Sequence, residues 1–283
     1  MSDKPVPNLF IIGAMKSGTT SLHEYLNEHP DVFMSDVKEP GYFSDCVDYY
    51  PKDDEWYESL FKDAKHHKII GESSTHYTKL PICDGVIQKI WKYNPDARFI
   101  YIMRNPITRI ISHYWHGIKY GDERHNILTA IKKNKAYVDF SDYAFQLEPY
   151  IERFGKDKIY TLSFESLVNN PTTELKKLFE WLGVDAGISI KSAGQSHNAL
   201  PDSFKRVKGF GLLYKFRQSF IWNTIAPFIP KKITSATAAL TVKDAVKSSN
   251  KDEGVHRYLK PIFTSKVKKL EALLNKKFDE WHL

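Results

Sequence analysis

The sequence predicts an α/β fold in which a central parallel β-sheet is flanked by helices. Four apolar residues, Leu9 to Ile12, lead through a glycine-hinged turn into a helix that continues from Ser21. An uninterrupted apolar run of this kind is typical of a strand that is covered on both faces. Further along the chain, short apolar runs alternate with segments of helical spacing, which is the pattern of parallel strands joined by helices. Ligands of such sheets bind beyond the carboxyl ends of the strands.

The remaining elements follow from apolar spacing and from turn and capping residues. A proline favours the first turn of a helix and a glycine the position just past its end, as at Pro171 and Gly183. In chain order, the predicted elements are a short strand over 31–34, a helix over 49–64, a strand over 68–72, a helix over 84–93, a strand over 98–103, a helix opening at Pro106, a strand over 159–165 and a helix over 171–182.

Length and composition limit the number of domains and the classes of ligand that the protein is expected to have. The 283 residues show no linker, repeat or low-complexity run, so a single domain over 1–283 is predicted. A net charge of +7 suits a polyanionic ligand, and no motif of nucleic-acid recognition accompanies it. There is no apolar run of transmembrane length and no secretory segment after Met1, which predicts a soluble, cytoplasmic protein. The two cysteines, Cys46 and Cys83, are expected to be reduced and to bind no metal.

The turn after the first strand has the composition of a phosphate-binding loop. Gly13 and Gly18 free the backbone to wrap an anion, so that amide N–H groups and the positive end of the helix point at it. Their spacing matches the first half of a nucleoside-triphosphate loop, but Thr19 and Thr20 stand where that motif requires Lys-Ser/Thr. The lysine stands instead at Lys16, where it can neutralise a leaving phosphate oxygen without a metal ion.

This run, Lys16-Ser17-Gly18-Thr19-Thr20-Ser21-Leu22, resembles the 5′-phosphosulfate loop of the sulfotransferases that use 3′-phosphoadenosine 5′-phosphosulfate (PAPS) and release 3′-phosphoadenosine 5′-phosphate (PAP). A second match begins where the strand over 98–103 ends. The resemblance implies that Arg104 and Ser112 grip the 3′-phosphate, and the planar guanidinium fork of arginine suits that role. The alternative for Arg104 is a structural ion pair.

Two weaker matches complete the implied PAPS site. Phe164 corresponds to the aromatic residue at a strand end of the family, which implies a place on the adenine; a core phenylalanine fits equally well. A basic cluster containing Arg206, Lys208 and Gly209 loosely resembles the run that closes over the 3′-phosphate. The surrounding segment, about 200–253, is a candidate lid or acceptor-site insertion, and its aromatic part over 209–230 fits a lid, a membrane-contacting helix or a packed helix.

Two residues could take the proton of the acceptor. Glu39 lies in Lys38-Glu39-Pro40-Gly41-Tyr42-Phe43, which is similar to the Lys-Glu-x-x-Phe-Phe element of heparan-sulfate-type sulfotransferases. His76 lies in Ser74-Thr75-His76-Tyr77, which resembles the Lys-Thr-His-Leu element of cytosolic sulfotransferases. The segment over 267–281 also looks like the heparan-sulfate branch and favours Glu39, whose pKa burial is expected to raise. Ser73, however, stands where that branch has a second catalytic lysine.

The resemblance therefore implies a P-loop-like sulfotransferase fold and transfer of a sulfuryl group from PAPS to a hydroxyl or amine, without a metal. The acceptor is expected to be a small molecule or a carbohydrate, and neither its identity nor the oligomeric state follows from the sequence. A P-loop kinase or nucleotide hydrolase and a noncatalytic binder of adenosine bisphosphate remain the alternatives.

Overall fold

Five parallel strands form the central sheet of the protein, in the order β2-β3-β1-β4-β5. The computed structural model describes residues 5–64, 66–120, 122–195, 203–207, 242–246 and 252–283. The strands are β1 Leu9–Gly13, β2 Val32–Met34, β3 Ile69–Ser73, β4 Arg98–Met103 and β5 Ile159–Ser163; a separate antiparallel pair consists of β6 Ser203–Val207 and β7 Val242–Val246.

Helices connect these strands and cover both faces of the sheet. The α-helices are α1 Thr19–Asn27, α2 Asp54–Ser59, α3 Val86–Tyr93, α4 Pro106–Tyr120, α5 Ile127–Lys133, α6 Ala136–Asp139, α7 Tyr143–Phe154, α8 Phe164–Asn169, α9 Pro171–Leu182 and α10 Asp252–Leu274. Single 3₁₀ turns span Thr75–Thr78, Lys156–Lys158 and Asp279–Trp281.

The central strand β1 divides the core into two layers. Phe10 and Ile12 point to the face that also buries α3 and α7, while Leu9 and Ile11 point to the face that buries α1 and α9. All five residues of β1 are buried, which explains why the sequence shows an apolar run there instead of an alternation. The chain passes from one side of β1 to the other between β3 and β4. In open parallel sheets, the crevice that binds ligands is expected at such a change of direction, beyond the carboxyl ends of the strands.

One predicted helix is much shorter than its pattern indicated. The apolar spacing over 49–64 predicted a helix throughout, but α2 covers only Asp54–Ser59. The Asp53 carboxylate accepts the amide of Trp56 at 2.8 Å, which starts the helix well inside the predicted range. After Ser59 the chain turns through i→i+3 hydrogen bonds, such as that from the Ala64 amide to the Phe61 carbonyl at 2.9 Å. The aromatic residues over 49–64 are therefore spaced as in a helix because they are buried, although only part of this segment is helical.

The last strand of the sheet also ends earlier than predicted. The sequence extended it to residue 165, whereas β5 stops at Ser163 and α8 begins at Phe164. The cause is the Ser163 hydroxyl, which accepts the amide of Ser166 at 3.1 Å and caps the new helix. Phe164 therefore lies at a helix start beyond the sheet, next to the end of β4.

Candidate active site

The loop between β1 and α1 forms a pocket of backbone amides. Gly18 precedes the helix with φ of 92°, and no side chain caps the first turn. The amides of Gly18, Thr19 and Thr20 have no acceptor among the described residues, so they are available to an anion. The Ser17 amide is different, because it donates to the Ala14 carbonyl at 3.1 Å and closes the turn. The Ser17 amide is therefore already paired within the loop, unlike the three amides that follow it.

Two arginines, Arg104 just after β4 and Arg109 in the first turn of α4, contact the backbone of this loop. Arg104 Nη1 lies 3.4 Å from the Lys16 carbonyl, and Arg109 Nη1 lies 3.4 Å from the Met15 carbonyl. Arg109 is fully buried, and its guanidinium also donates to Ser141 Oγ at 2.5 Å and to the Tyr137 carbonyl at 2.9 Å. The loop after β1 and the segment after β4 are thus one connected unit.

The backbone and side chain of Arg104 have defined contacts, but its guanidinium forms no ion pair with a described residue. The Tyr143 hydroxyl donates to the Arg104 carbonyl at 2.6 Å, and the guanidinium lies 4.9 Å from the centre of the Phe164 ring. No carboxylate of the described residues comes within 4 Å of this guanidinium. The structural ion pair that the sequence left open is therefore not seen in this part of the chain, and the guanidinium can bind a phosphate.

Phe164 packs against the loop as well as against Arg104. A Cβ atom placed on Gly18 would lie 2.8 Å from the Phe164 ring, which shows how closely the ring approaches the loop backbone. The ring therefore lies between the amides of the first loop and the guanidinium of the second. The ring is partly buried and also packs against the core layer that contains α1 and α9, so its position is compatible with both roles that the sequence left open.

The remaining predicted PAPS contacts lie on the same elements or outside the described chain. Thr19 and Ser21 are buried in the first turn of α1, and Ser112 is half-buried in the second turn of α4. Arg206 belongs to strand β6, of whose side chains nothing is described. Lys208 and Gly209, with the segment over 209–230, lie outside the described residues.

The two candidate bases, Glu39 and His76, lie side by side. Glu39 Oε2 accepts the amide of Thr75 at 2.8 Å and its hydroxyl at 3.1 Å, while Oε1 pairs with Lys38 Nζ at 2.9 Å. His76 Nδ1 is 3.5 Å from Glu39 Oε2, and the two side chains are 17 % and 29 % exposed. The carboxylate of Glu39 therefore anchors the first residue of the 3₁₀ turn that carries His76.

The pKa of each candidate base lies below its own ordinary value. Burial would raise the pKa of Glu39, but the Lys38 ammonium and the His76 imidazole outweigh it and hold this pKa well below its usual range. The expectation that Glu39 is tuned toward neutrality is thus wrong for this structure. Burial also lowers the pKa of His76, with Glu39 opposing the shift. At neutral pH the pair consists of an ionised carboxylate and a neutral imidazole.

Ser73, which stands where the heparan-sulfate branch has a catalytic lysine, contacts a neutral side chain and not a cation. Its hydroxyl lies 2.7 Å from His23 Nδ1, and both residues are buried. Burial, aided by Lys38, lowers the pKa of His23 to about 4, so this imidazole is neutral at physiological pH. The positive charge that the heparan-sulfate branch has at this position is therefore replaced neither by Ser73 nor by its partner His23.

Three basic side chains that the sequence analysis did not select also face this region. Lys79 follows the 3₁₀ turn of His76, and burial lowers the pKa of its ammonium. Burial, with Lys16 and Lys79, lowers the pKa of His116 to about 3 and that of His113 to well below its ordinary value. Lys16 and Lys79 thus act on the same two histidines of α4. The i,i+3 spacing of His113 and His116 was the available signal, since it places both on one face of α4.

The buried carboxyl group of Glu72 is surrounded by hydroxyl groups that stabilise the structure around it. Burial raises its pKa to about 7, and its oxygens accept the hydroxyls of Tyr77 at 2.6 Å, Ser74 at 2.7 Å and Tyr57 at 3.2 Å. Ser74 Oγ in turn accepts the amide of Gly41 at 3.0 Å. Glu72 therefore supports the backbone just after Glu39 without facing the crevice.

Within the described ranges, no group of three or more His, Cys, Asp and Glu side chains is arranged to hold a metal ion. None of the helices described is long and apolar enough to cross a membrane.

The family model that matches this chain, and two curated relatives and a solved structure that resemble it, are all named as sulfotransferases. The model of the sulfotransferase domain matches residues 6–236. The chain is 28% identical over 221 residues to heparan sulfate glucosamine 3-O-sulfotransferase 3A1 of Mus musculus, covering 75% of the chain and 52% of that protein. It is 29% identical over 198 residues to heparan sulfate glucosamine 3-O-sulfotransferase 5 of Homo sapiens, covering 65% of the chain and 55% of that protein. The chain spans about half the length of these curated relatives.

Among solved structures, a sulfotransferase from Alicyclobacillus acidocaldarius superposes with a TM-score of 0.72 at 22% identity, covering 99% of this chain and 100% of that one. This likeness establishes a shared fold.

Proposed function

Since the chain belongs to the sulfotransferase domain family, we propose that it transfers the sulfuryl group of PAPS to a hydroxyl or amine of an acceptor. The observation that carries the proposal is the contact between two strand ends that both suit an anion. The amides after β1 and the guanidinium after β4 lie on one unit, because Arg104 contacts the Lys16 carbonyl at 3.4 Å. A ligand with separate 5′ and 3′ anionic groups matches such a pair.

The residues present fit PAPS. Ser17 Oγ is buried and has no hydrogen-bond partner among the described residues, which leaves a polar atom for the ligand in the loop. The amides of Gly18, Thr19 and Thr20 suit the 5′-phosphate, and Arg104 suits the 3′-phosphate. Phe164, between them, offers a ring face to the adenine.

PAPS supplies an activated sulfuryl group, and the protein has to orient it and stabilise charge. Lys16 lies in the loop between β1 and α1 and has a φ of 71°, in the left-handed region. Its ammonium would shield the negative charge that develops on the leaving 5′-phosphate oxygen. Lys79, which acts on the same histidines as Lys16, adds positive charge to the acceptor side of the crevice.

We propose His76 as the group that takes the acceptor's proton, with Glu39 as the residue that positions it. Three donors already engage the carboxylate of Glu39, and its lowered pKa makes it a weak base. His76 is neutral at physiological pH and partly exposed. The absence of a lysine at Ser73 agrees with this assignment, since the resemblance links that lysine to a glutamate base.

A carbohydrate is the acceptor class that the relatives favour, because the names of the curated relatives specify heparan sulfate glucosamine. The basic groups around the crevice suit an acceptor that itself carries negative charge.

Calorimetry with PAP, ADP and ATP tests the nucleotide assignment. We expect PAP to bind about tenfold or more tightly than either, without Mg²⁺, because only PAP offers a 3′-phosphate to Arg104. Equal affinity for ATP, or binding that requires Mg²⁺, would support the kinase or hydrolase alternative.

Transfer itself is tested with radiolabelled PAPS and a panel of glycan, alcohol and amine acceptors. Label should appear on at least one acceptor class. Tight PAP binding without transfer to any class would support the noncatalytic alternative.

A further inference from the structure

The two cysteines of the chain lie close together on two loops that are far apart in the sequence. Cys46 Sγ is 3.1 Å from the carbonyl oxygen of Ile82, the residue immediately before Cys83. The carbonyl that Cys46 Sγ contacts therefore belongs to the peptide group that joins Ile82 to Cys83. The Cys46 amide also donates to Ser44 Oγ at 3.3 Å. Two loops that are distant in sequence thus bring both thiols to one place.

The two thiols differ in accessibility. Cys46 is exposed, whereas Cys83 is 2 % exposed. Burial, together with the adjacent Cys46, raises the pKa of Cys83 to about 12. A dissolved reagent therefore meets Cys46 first. Once Cys46 has reacted, its contribution to the raised pKa of Cys83 is removed, but burial, the larger cause, remains, so the second step requires an alkaline pH.

Both loops carry residues of the candidate site. Cys46 follows the segment that begins at Glu39, and Lys52 Nζ binds the Ser44 carbonyl of that segment at 3.2 Å. Cys83 lies in the turn after His76, because its amide donates to the Lys79 carbonyl at 3.0 Å. A bond between the cysteines would join the loop of Glu39 to the loop of His76.

We propose that Cys46 and Cys83 form a redox-active pair that closes to an intramolecular disulfide by exchange with a small-molecule disulfide. The Cys46 thiolate attacks one sulfur of the reagent, which forms a mixed disulfide and releases one reagent thiolate. The Cys83 thiolate then attacks the sulfur of Cys46 and releases the second. The two protein thiols are oxidised by two electrons, one reagent disulfide is reduced to two thiols, and the cysteine protons leave with the released thiolates.

The reaction is tested on the full chain with glutathione disulfide at pH 8 to 9, followed by denaturation, alkylation of free thiols and peptide mass spectrometry. The wild type should yield a Cys46–Cys83 linked peptide, no alkylated cysteine and no bound glutathione. Its melting temperature should rise by about 5 °C or more relative to the reduced protein, since the bond closes a loop of intermediate length.

Two variants serve as controls. Cys83→Ser should retain glutathione on Cys46, and Cys46→Ser should remain alkylatable only after denaturation, because Cys83 is buried. Neither should gain thermal stability on oxidation. Wild-type protein that ends with glutathione on Cys46 and a free Cys83 thiol, or with Cys46 linked between two chains, would overturn the proposal. The readouts do not depend on PAPS or an acceptor, so they are independent of the proposed sulfuryl transfer.

Discussion

Arg104 is the side chain most directly tied to recognition of a 3′-phosphate. Its guanidinium has no carboxylate partner within 4 Å among the described residues, and the backbone is fixed by Tyr143. We expect Arg104→Ala to weaken PAP binding by roughly 2 kcal/mol or more, the size of a lost charge-assisted phosphate contact, with a smaller effect on ADP, which lacks the 3′-phosphate and depends only on the loop that Arg104 contacts. Calorimetry with both nucleotides measures the difference.

Arg98→Ala is the matched control, because Arg98 lies at the opposite end of β4. Its Nη1 donates to the Leu182 carbonyl at 3.0 Å, far along the strand from the crevice. The control should keep wild-type affinity for PAP. If Arg104→Ala binds PAP normally while remaining folded, the 3′-phosphate site lies elsewhere.

Lys16 should matter more for turnover than for binding. Its charge is opposed to the negative charge that grows on the leaving phosphate, an interaction that strengthens toward the transition state. Lys16→Ala should therefore lower kcat by about 10² or more while the Kd of PAP changes less. Single-turnover kinetics beside calorimetry separates the two. A variant in which only KM rises would make Lys16 an ordinary binding residue.

His76 and Glu39 are separable by the size of their effects and by pH. His76→Ala should lower kcat by about 10², and Glu39→Gln should lower it less, because glutamine can still accept the bonds from Thr75. A neutral imidazole is the active form, so activity falls as the pH drops through the lowered pKa of His76, below about 6.5. Since Glu39 raises that pKa, Glu39→Gln should move the acid limb lower still.

Lys38→Gln supplies the independent check on this assignment. Lys38 is the largest of the charges that lower the pKa of Glu39, whereas the groups that shift His76 are Glu39, Lys79 and Lys52. With His76 as base, the acid limb should stay in place in Lys38→Gln. An upward shift of the limb, or a larger loss in Glu39→Gln than in His76→Ala, would assign the proton transfer to Glu39.

At the scale of elements, the loop between β1 and α1 depends on a glycine at position 18. Gly18 has φ of 92°, and an added Cβ would lie 2.8 Å from the Phe164 ring. Gly18→Ala should therefore lose roughly 1–2 kcal/mol from the left-handed backbone, with a further loss from the clash. It should also weaken PAP binding, because the amide pocket shifts. Chemical denaturation and calorimetry measure the two effects.

Gly85→Ala separates backbone strain from the clash. Gly85 also precedes a helix, α3, with φ of 77°, but no atom lies within 4 Å of an added Cβ. This variant should lose a similar amount of stability from the backbone and keep its affinity for PAP. Equal affinities for PAP in both variants would contradict the role given to the Gly18 loop.

The elements that the sequence predicted well are those with strong local signals. The strand over 98–103 and the helix over 171–182 agree with β4 and α9, because an apolar run or a proline and a glycine mark their ends. The helices α5, α6 and α7 were not assigned, although Asp142 caps α7 by accepting the Phe145 amide. Strand order was also beyond the sequence, since it depends on contacts between distant segments.

In the site, as in the fold, the sequence predicted the features that have local patterns and missed those that depend on contacts between distant segments. The amide loop and Arg104 carry recognisable local patterns, whereas the arrangement of Glu39 with His76 required two loops to meet. The pKa of Glu39 was expected in the wrong direction because burial was visible in the apolar surroundings but the strength of the Lys38 contact was not. The parallel α/β sheet, by contrast, is confirmed with all five strands.

At the scale of the whole molecule, the last residues of the chain support the segment after β4. The Asn105 side chain donates to the Trp281 carbonyl at 2.6 Å, and the Trp281 indole donates to Glu165 at 3.0 Å. Glu165 also accepts the Asn105 amide at 2.9 Å. The ring of Trp281 packs near Tyr143, whose hydroxyl holds the Arg104 carbonyl. The C-terminal 3₁₀ turn, which lies outside the match to the family model, thus stabilises the predicted 3′-phosphate site from behind.

Trp281→Ala should therefore reduce both stability and PAP affinity. Trp281 is 2 % exposed, so its removal should cost about 3–5 kcal/mol of unfolding free energy. Trp281→Phe keeps an aromatic ring but loses the bond to Glu165, and should show a smaller loss of both. Trp91→Ala is the control, since Trp91 is 39 % exposed and packs on Phe154 away from this segment. Denaturation curves and calorimetry of the three variants provide the measurement. Unchanged PAP affinity in Trp281→Phe and Trp281→Ala, under conditions where both are folded, would limit the C-terminal turn to a role in stability.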